Sequence, residues 1–268
     1  MKLGDSDTLY IRISDSEVIF ARYDHLRRQT VNYVVYKVKP DISLNANIHE
    51  AVGRVALTRG DFNYVRVLME GSATLVPLSE FEEDLTEDLY FFNFSGNRRR
   101  LRVFYDTLPH LNAVLLFAAD KDVCHTLEET FPNILFQSAE TPQLLHFASC
   151  SRTALSCGRF FVSLSPRRMS FSAFRNGKIE LYNSYALHHL RDAAYYVLQA
   201  MQLWHFRQET DELYLGGDRD MAEKLQPELQ PYVHHISLLK AEEEFNSNVA
   251  ALQKDLPYDL VTLLLRAY

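Results

Sequence analysis

Three short runs of apolar residues follow one another between residues 159 and 187, with only turns between them. Residues 160–164 are mostly aromatic or apolar, residues 169–174 alternate large and small side chains, and residues 179–185 return after an Arg-Asn-Gly-Lys turn. Apolar and aromatic residues at this spacing between turn residues indicate strands. The segment predicts a three-stranded meander. The apolar stripe of residues 187–206 predicts a helix directly after it.

The opening of the chain shows the same order of patterns as this meander. The elements predicted there are strands at 9–14, 18–23, 29–38 and 64–69, with a helix at 45–58 between the last two. After the second meander the predicted elements are strands at 213–215 and 233–239 and helices at 219–229 and 242–254. Both halves predict the order β-β-β-α-β-α-β, with extra elements in the first. This repetition indicates an α/β protein with an internal duplication of structure.

Residues 71–118 predict the extra elements of the first half. A short strand leads into a helix expected to start near Ser79, with Glu82 three residues later in the capping-box position. The apolar run 112–118 is typical of a strand covered on both faces. Asp120 and Thr141 are then predicted as caps of two further helices. Alternating strands and helices favour a partly parallel sheet.

Composition narrows the class of protein. The chain has 268 residues, a net charge of −7 and 47% hydrophobic residues. The net negative charge argues against a general nucleic-acid binder. The arginine clusters at 27–28, 98–102 and 167–168 are the only feature that favours one. No apolar run approaches the roughly 20 residues of a membrane span, and the N-terminus lacks an apolar signal-peptide core. Three irregularly spaced cysteines predict no disulfide framework, so a soluble cytoplasmic protein is expected.

The duplicated meander-helix unit resembles the actin-like ATPase superfamily, whose two halves each have a ribonuclease-H-like fold. The pattern is similar to the pilus-assembly and cell-division members. The whole chain also resembles an uncharacterised bacterial family assigned this fold. The resemblance implies a first lobe at 1–155 with an insertion at about 71–110, and a second lobe at 156–268. The two lobes are expected to join near residues 151–158.

The first phosphate loop of that superfamily aligns with residues 11–18, IRISDSEV. Arg12 occupies the position of the loop's acid, and Ser14 that of its glycine. The acid normally holds a hydrated Mg²⁺, which a guanidinium cannot do because it has no lone pair to donate. A serine side chain also obstructs the close approach of backbone to phosphate that a glycine allows. Asp15 is present but displaced onto the turn.

The second phosphate loop aligns with residues 162–168, VSLSPRR. Its acid and its glycines are absent, and Pro166 lacks the backbone N–H that such a loop would donate. The candidate cleft residues on this loop are Ser165, Arg167 and Arg168. With Arg12, they suggest either an anion site that needs no metal or ordinary surface arginines paired with carboxylates.

Residues 213–217 match the adenosine-side motif of the superfamily, an apolar strand followed by Gly216 and Gly217. Two glycines between a strand and a helix are also an ordinary connection. Retained structure is therefore favoured over a working nucleotide site. No cofactor is predicted.

Other catalytic and metal motifs are not found. The pairs His188-His189 and His234-His235 cannot chelate, because adjacent side chains point in different directions. Cys124-His125 and Cys150 with Cys157 lack the CxxC spacing of zinc sites, so no metal site is predicted. Trp204 is expected in the core.

Two classes of function remain. The first is a non-catalytic interaction or scaffold module with a degenerate nucleotide site, docking a protein partner through the insertion at 71–110. The alternative is a divergent nucleotide-binding ATPase or small-molecule kinase. Missing acids and glycines at both loops favour the non-catalytic class. Homo-oligomer formation stays open, and nucleic acid is disfavoured as a partner.

Overall fold

The computed structural model of the protein describes residues 8–25, 30–60, 62–152 and 157–266. Its strands in chain order are β1 (Thr8–Ile13), β2 (Glu17–Tyr23), β3 (Val31–Lys37), β4 (Tyr64–Met69), β5 (Ala73–Pro77), β6 (Leu101–Leu108), β7 (Ala113–Asp120), β8 (Ile134–Ser138), β9 (Arg159–Ser165), β10 (Arg168–Arg175), β11 (Lys178–Ala186), β12 (Glu212–Gly217) and β13 (Ile236–Leu238). Its α-helices are α1 (Leu44–Arg54), α2 (Thr86–Asn93), α3 (Lys121–Thr130), α4 (Glu140–Ser151), α5 (Leu190–Leu203), α6 (Arg219–Leu229), α7 (Ala241–Glu244) and α8 (Tyr258–Leu265).

The first sheet has the order β3-β2-β1-β4-β8. β1, β2 and β3 pair antiparallel as a meander, whereas β4 and β8 run parallel to β1. Alternate side chains of β1 are buried on opposite faces of the sheet. Leu9 and Ile11 belong to the largest hydrophobic core, and Tyr10 belongs to a separate cluster. This sheet is therefore covered on both sides.

The second sheet repeats this topology in the order β11-β10-β9-β12-β13. β9, β10 and β11 form the predicted meander, and β12 and β13 lie parallel to β9. The core on one face of this sheet includes Val197 and Met201 of α5, with the predicted core residue Trp204 packed against it. The duplicated order inferred from the sequence is confirmed. The predicted lobe junction falls partly on residues 153–156, and the Arg27-Arg28 cluster also lies outside the described residues.

The extra elements of the first half form a separate three-stranded sheet of order β5-β7-β6. β7 contains the apolar run predicted as a buried strand, and it pairs antiparallel with both neighbours. The helix predicted to begin near Ser79 begins only at Thr86, after two short 3-10 turns, so the capping box with Glu82 does not form. The Asp120 cap is confirmed. Thr141 lies inside α4 and caps nothing, because its hydroxyl bonds to Asp106.

The C-terminal segment differs from the sequence prediction. The polar helix expected at 242–254 is only the four-residue α7, and the chain continues into the unpredicted α8. α8 packs on the face of the first sheet that carries Tyr10 and Leu68, with Leu260 and Leu263 in the same buried cluster. α8 is buried all round, so its sequence lacks the polar stripe that marks a surface helix. The chain therefore returns to the first sheet after completing the second.

None of the helices in the described ranges has the length and apolar character needed to cross a membrane.

Candidate functional site

A cavity of about 650 Å³ lies at the carboxyl ends of the parallel strands, and both lobes line it. Five of the predicted cleft residues are in its wall, namely Arg12, Ser14, Ser165, Arg168 and Gly217. The other two predicted residues, Arg167 and Gly216, are not among the lining residues. Five of the seven residues that the alignments selected therefore line one cavity.

Arg12 sits near the end of β1 and is 6% exposed. Its Nε donates to both carboxylate oxygens of Asp259 in α8, at 2.8 and 2.9 Å, and a terminal nitrogen lies 3.0 Å from Glu70 Oε2. Burial by itself would lower the pKa of Arg12, but Asp259 and Glu70 raise it above its ordinary value. The guanidinium is thus a fixed cation held between two carboxylates.

For Asp259, the carboxylate partner in α8, burial and the neighbouring charge shift the pKa in opposite directions. Burial raises the pKa of Asp259, and the charge of Arg12 opposes this rise. Its Oδ1 also accepts the backbone N–H of Leu260. Charge-assisted hydrogen bonds of this kind are the strong ones, and they keep a buried ion pair in one geometry.

Ser14 turns its hydroxyl into the first hairpin turn. Its Oγ accepts from the backbone N–H of Glu17 at 3.1 Å and lies 3.0 Å from the carbonyl oxygen of the same residue. Glu17 in turn pairs with Lys37 at 2.6 Å. Ser14 therefore stabilises the turn itself.

The second hairpin turn is held differently. Ser165 Oγ donates to the carbonyl oxygen of Arg168 at 3.3 Å, and Arg167 is exposed at the tip of the turn. Arg168 reaches the first lobe, where a terminal nitrogen donates to Ser72 Oγ at 2.7 Å. In the described part of the chain no carboxylate forms an ion pair with Arg168. It is the cleft arginine whose charge is least compensated.

The two glycines at the end of β12 are needed for packing. Gly217 has a φ of 84°, and a Cβ there would lie 2.1 Å from the carbonyl oxygen of Leu164 in β9. A Cβ on Gly216 would lie 2.8 Å from the side chain of Leu239. A larger residue at position 217 would collide with backbone, whereas a Cβ at position 216 would require the Leu239 side chain to move.

Sequence reasoning missed two cleft residues on α4, Glu140 and Gln143. Glu140 Oε2 accepts from Ser170 of the second lobe at 2.7 Å, and Gln143 Oε1 accepts from Ser163 Oγ at 3.0 Å. Burial raises the pKa of Glu140 to about 7, although the hydrogen bond from Ser170 opposes the rise. The first turn of α4 therefore bonds to both β9 and β10 across the cleft. The only sequence signal near these two residues was the helix pattern around residue 140. Their hydrogen-bond partners lie on the other lobe and are not indicated by neighbouring residues.

The overall fold that forms this cleft is similar to the folds of several solved structures. A protein of actin-like ATPase fold and unknown function from Bacteroides thetaiotaomicron aligns with a TM-score of 0.85 at 25% identity, covering 98% of this chain and 99% of that one. The PilM–PilN type IV pilus biogenesis complex aligns at 0.67 and 11% identity, covering 98% of each chain. The ethanolamine utilization protein EutJ from Carboxydothermus hydrogenoformans aligns at 0.50 and 7% identity, covering 96% of this chain and 88% of that one. The chain has an actin-like ATPase fold.

The chain belongs to the DUF3822 family, described as a protein of unknown function, whose model matches residues 4–236. No curated protein matches the sequence. The expected resemblance to an uncharacterised family with this fold, and to a pilus-assembly homologue, is confirmed.

Proposed function

We propose that this protein is a non-catalytic actin-like module of the cytoplasm that recognises a protein partner, with a nucleotide site that no longer supports Mg²⁺-dependent chemistry. The observation that carries the proposal is the pairing of Arg12 with Asp259 and Glu70. This ion cluster stands at the position that the superfamily motif reserves for a metal-holding acid.

The donor set around Arg12 does not fit a hydrated Mg²⁺. Mg²⁺ requires oxygen ligands in an octahedral arrangement, and Arg12 has no lone pair. Asp259 and Glu70 direct carboxylate oxygens at Arg12 itself, at 2.8 and 3.0 Å. A metal at this position would have to break a buried ion pair, which is unfavourable.

The insertion offers the surface that supports the interaction role. Leu78, Leu85 and Phe92 lie on or beside its helical turns and are 39%, 43% and 90% exposed. Phe92 is the most exposed of the large apolar side chains in the described ranges, and aromatic anchors are enriched at the centres of binding surfaces. The solved PilM–PilN structure of the same fold is a complex with a partner, which is consistent with this role.

The charge around these apolar residues indicates the chemistry of the partner. The exposed carboxylates of the insertion that form no ion pair in the described part of the chain are Glu80, Glu82, Glu83, Asp84 and Glu87. Apolar anchors surrounded by acidic side chains suit a basic amphipathic segment of a partner protein, because rim charges steer association. The acidic insertion surface, defined by residues 78–92, is the proposed docking site.

The test has two arms. In the first, Phe92→Ser is compared with Leu135→Ser, a change at another exposed apolar residue of the first lobe, 54% exposed. Cross-linking in the native cell should recover a partner with wild type and with Leu135→Ser, and lose it with Phe92→Ser. Equal recovery from all three would contradict docking at the acidic insertion surface.

The second arm measures melting temperature with ATP and Mg²⁺. We expect no shift, because binding to the folded chain alone would raise the temperature by mass action. A shift that requires Mg²⁺, together with ATP turnover, would replace the proposal with the alternative of a divergent ATPase or small-molecule kinase.

A further inference from the structure

A cluster of metal-ligating side chains lies away from the cleft, at the far end of α4. His146 and Cys150 are four residues apart on this helix and so share one face. Glu244, the last residue of α7, reaches them from the C-terminal segment. One ligand atom from each of the three residues lies within 4.8 Å of the other two.

The distances in this cluster are close to those of a tetrahedral metal site. His146 Nε2 lies 3.8 Å from Cys150 Sγ and 2.5 Å from Glu244 Oε2. Zinc bonds of about 2.0–2.3 Å place tetrahedral ligand atoms roughly 3.3–3.8 Å apart. The sulfur-to-nitrogen distance already matches. The nitrogen-to-oxygen distance matches after the shared proton leaves and the two atoms separate by about 1 Å.

The surroundings of Glu244 provide a second observation. Its Oε2 accepts from Tyr258 Oη at 2.8 Å, and its Oε1 is buried and has no hydrogen-bond partner among the described residues. A buried carboxylate oxygen without a partner is costly, whereas a metal ion that contacts Oε1 as well as Oε2 of Glu244 would satisfy it. Tyr258 would then fix the orientation of the ligand, as residues behind metal ligands do.

The cluster is also enclosed by aromatic rings. His146 is 1% exposed, and its ring centroid lies 5.1 Å from that of Phe245 and 6.1 Å from that of Tyr258. An apolar enclosure of this kind limits access of water to a bound ion. Cys150 keeps partial exposure, which leaves a route for the ion to enter.

We propose that His146, Cys150 and Glu244 bind one Zn²⁺ ion, with water as the fourth ligand. Imidazole, thiolate and carboxylate together suit zinc, which accepts nitrogen, sulfur and oxygen ligands in a tetrahedron. On binding, the Cys150 thiol releases its proton to solvent, and His146 coordinates through Nε2 as the neutral imidazole that carries its one ring proton on Nδ1; no electron is transferred. The site escaped sequence analysis because Glu244 lies 94 to 98 positions after its two partners.

The proposed zinc would join the C-terminal segment to α4. α4 carries Glu140 into the cleft at one end and this cluster at the other, and α8 packs along it. The ion would therefore fix the segment that supplies Asp259 to Arg12. An ion held by α4 and the C-terminal segment would stabilise the folded chain, because the unfolded chain does not hold the three ligands together.

The test uses the full chain after removal of metal with EDTA and dialysis. Zn²⁺ alone is added, and we expect one ion per chain and a raised melting temperature that EDTA reverses. With Co²⁺ as a spectroscopic probe, a thiolate-to-cobalt charge-transfer band should appear in wild type. The band should vanish in Cys150→Ser, and Zn²⁺ affinity should fall at least about 10-fold in Glu244→Gln.

Two controls keep the result decisive. His125→Gln changes an exposed helix histidine paired with Glu129, and it should leave metal binding unaltered. In wild type, Zn²⁺ should slow alkylation of Cys150 at least about 10-fold and leave Cys157 unaffected, a measurement that does not depend on the folding of any variant. Absence of stoichiometric uptake, or an unchanged charge-transfer band in Cys150→Ser, would overturn the proposal.

Discussion

The two lobes present the same backbone to the cleft and place different chemistry on it. β1 pairs with β4 so that Arg12 faces Leu68, and β9 pairs with β12 so that Ser163 faces Gly216. One residue beyond each pair of strands, Glu70 donates its N–H to Ile13 and Asp218 donates its N–H to Leu164, at 2.9 and 2.7 Å. Arg12 and Glu70 thus correspond to Ser163 and Asp218.

The two equivalent acids, Glu70 and Asp218, have different hydrogen-bond partners. Glu70 directs its carboxylate at Arg12, whereas Asp218 caps α6 by accepting from the N–H of Met221. The first lobe therefore holds a buried charge cluster across the end of its sheet, and the second has a neutral serine and a helix cap. The duplicated fold fixes where the side chains stand, and the sequence decides whether they pair with each other or with the backbone.

The largest effect should come from Arg12→Met. Removing the cation leaves Asp259 buried opposite Glu70 without compensation, and breaking one partner of a buried pair destabilises by about 3–5 kcal/mol. Urea unfolding followed by circular dichroism measures the change. Ser163→Ala, at the equivalent position of the second lobe, should change the free energy of unfolding by less than about 1 kcal/mol. Similar losses from both variants would show that the lobes do not differ in this way.

Gly217→Ala comes next and probes the second lobe. Its Cβ would lie 2.1 Å from the carbonyl oxygen of Leu164, and the φ of 84° is unfavourable for alanine. We expect a loss of roughly 2–3 kcal/mol from strain and displacement of β9. Met69→Ala at the equivalent site of the first lobe removes buried side-chain atoms without backbone strain. It therefore serves as the comparison in which strain makes no contribution to the loss of stability. A melting temperature of Gly217→Ala equal to that of wild type would contradict the packing role.

Glu140 makes stability depend on pH. Its pKa rises from an ordinary value of 4.5 to about 7 in the folded chain. The folded chain therefore binds more protons than the unfolded chain between these values, and the free energy of unfolding falls as pH rises through that interval. Because Glu140 is only half-buried, we expect a contribution of about 1–2 kcal/mol.

Denaturant unfolding of wild type and Glu140→Gln at pH 5 and pH 8 isolates this contribution. The variant should lose less stability between the two pH values than wild type. Part of the decline should persist in the variant, because burial also raises the pKa of Asp106 to about 6. Glu80→Gln, an exposed acid, should follow wild type at both pH values. Parallel declines in wild type and Glu140→Gln would refute the role of Glu140.

The smallest effect is expected for Arg168→Ala. This arginine contributes one hydrogen bond across the cleft, to Ser72, and no ion pair within the described residues. Its loss should reduce the free energy of unfolding by under about 1 kcal/mol. A drop as large as that of Arg12→Met would erase the contrast between Arg12 and Arg168. Unfolding in denaturant provides the comparison on one scale.

Local patterns predicted most of the two sheets. The bounds of β4 and α6 match the prediction, because alternation in a strand and caps at a helix depend on neighbouring residues. α8 escaped because a helix buried on every side has no polar stripe. The helix expected near Ser79 was misplaced because the capping-box signal does not distinguish a helix from successive 3-10 turns.

The candidate site was predictable only in part. Motif alignment placed Arg12, Ser14 and Ser165 in the cavity wall, since the backbone of a duplicated fold fixes those turns. It could not supply the partner of Arg12, because Asp259 lies 247 positions further along the chain. Glu140 was missed for the same reason, as its contact with Ser170 joins two lobes. Tertiary pairings of this length are not written in any local pattern.

The return of α8 to the first sheet has a consequence for the order of folding during synthesis. The ribosome delivers β1 among the first strands and α8 among the last helices of the described chain. Until α8 emerges, Arg12 has no Asp259, and the face of the first sheet that carries Tyr10 and Leu68 lacks its cover. The second lobe, whose strands and helices are consecutive in the chain, can close its own core earlier. The lobe that is made first is therefore completed last.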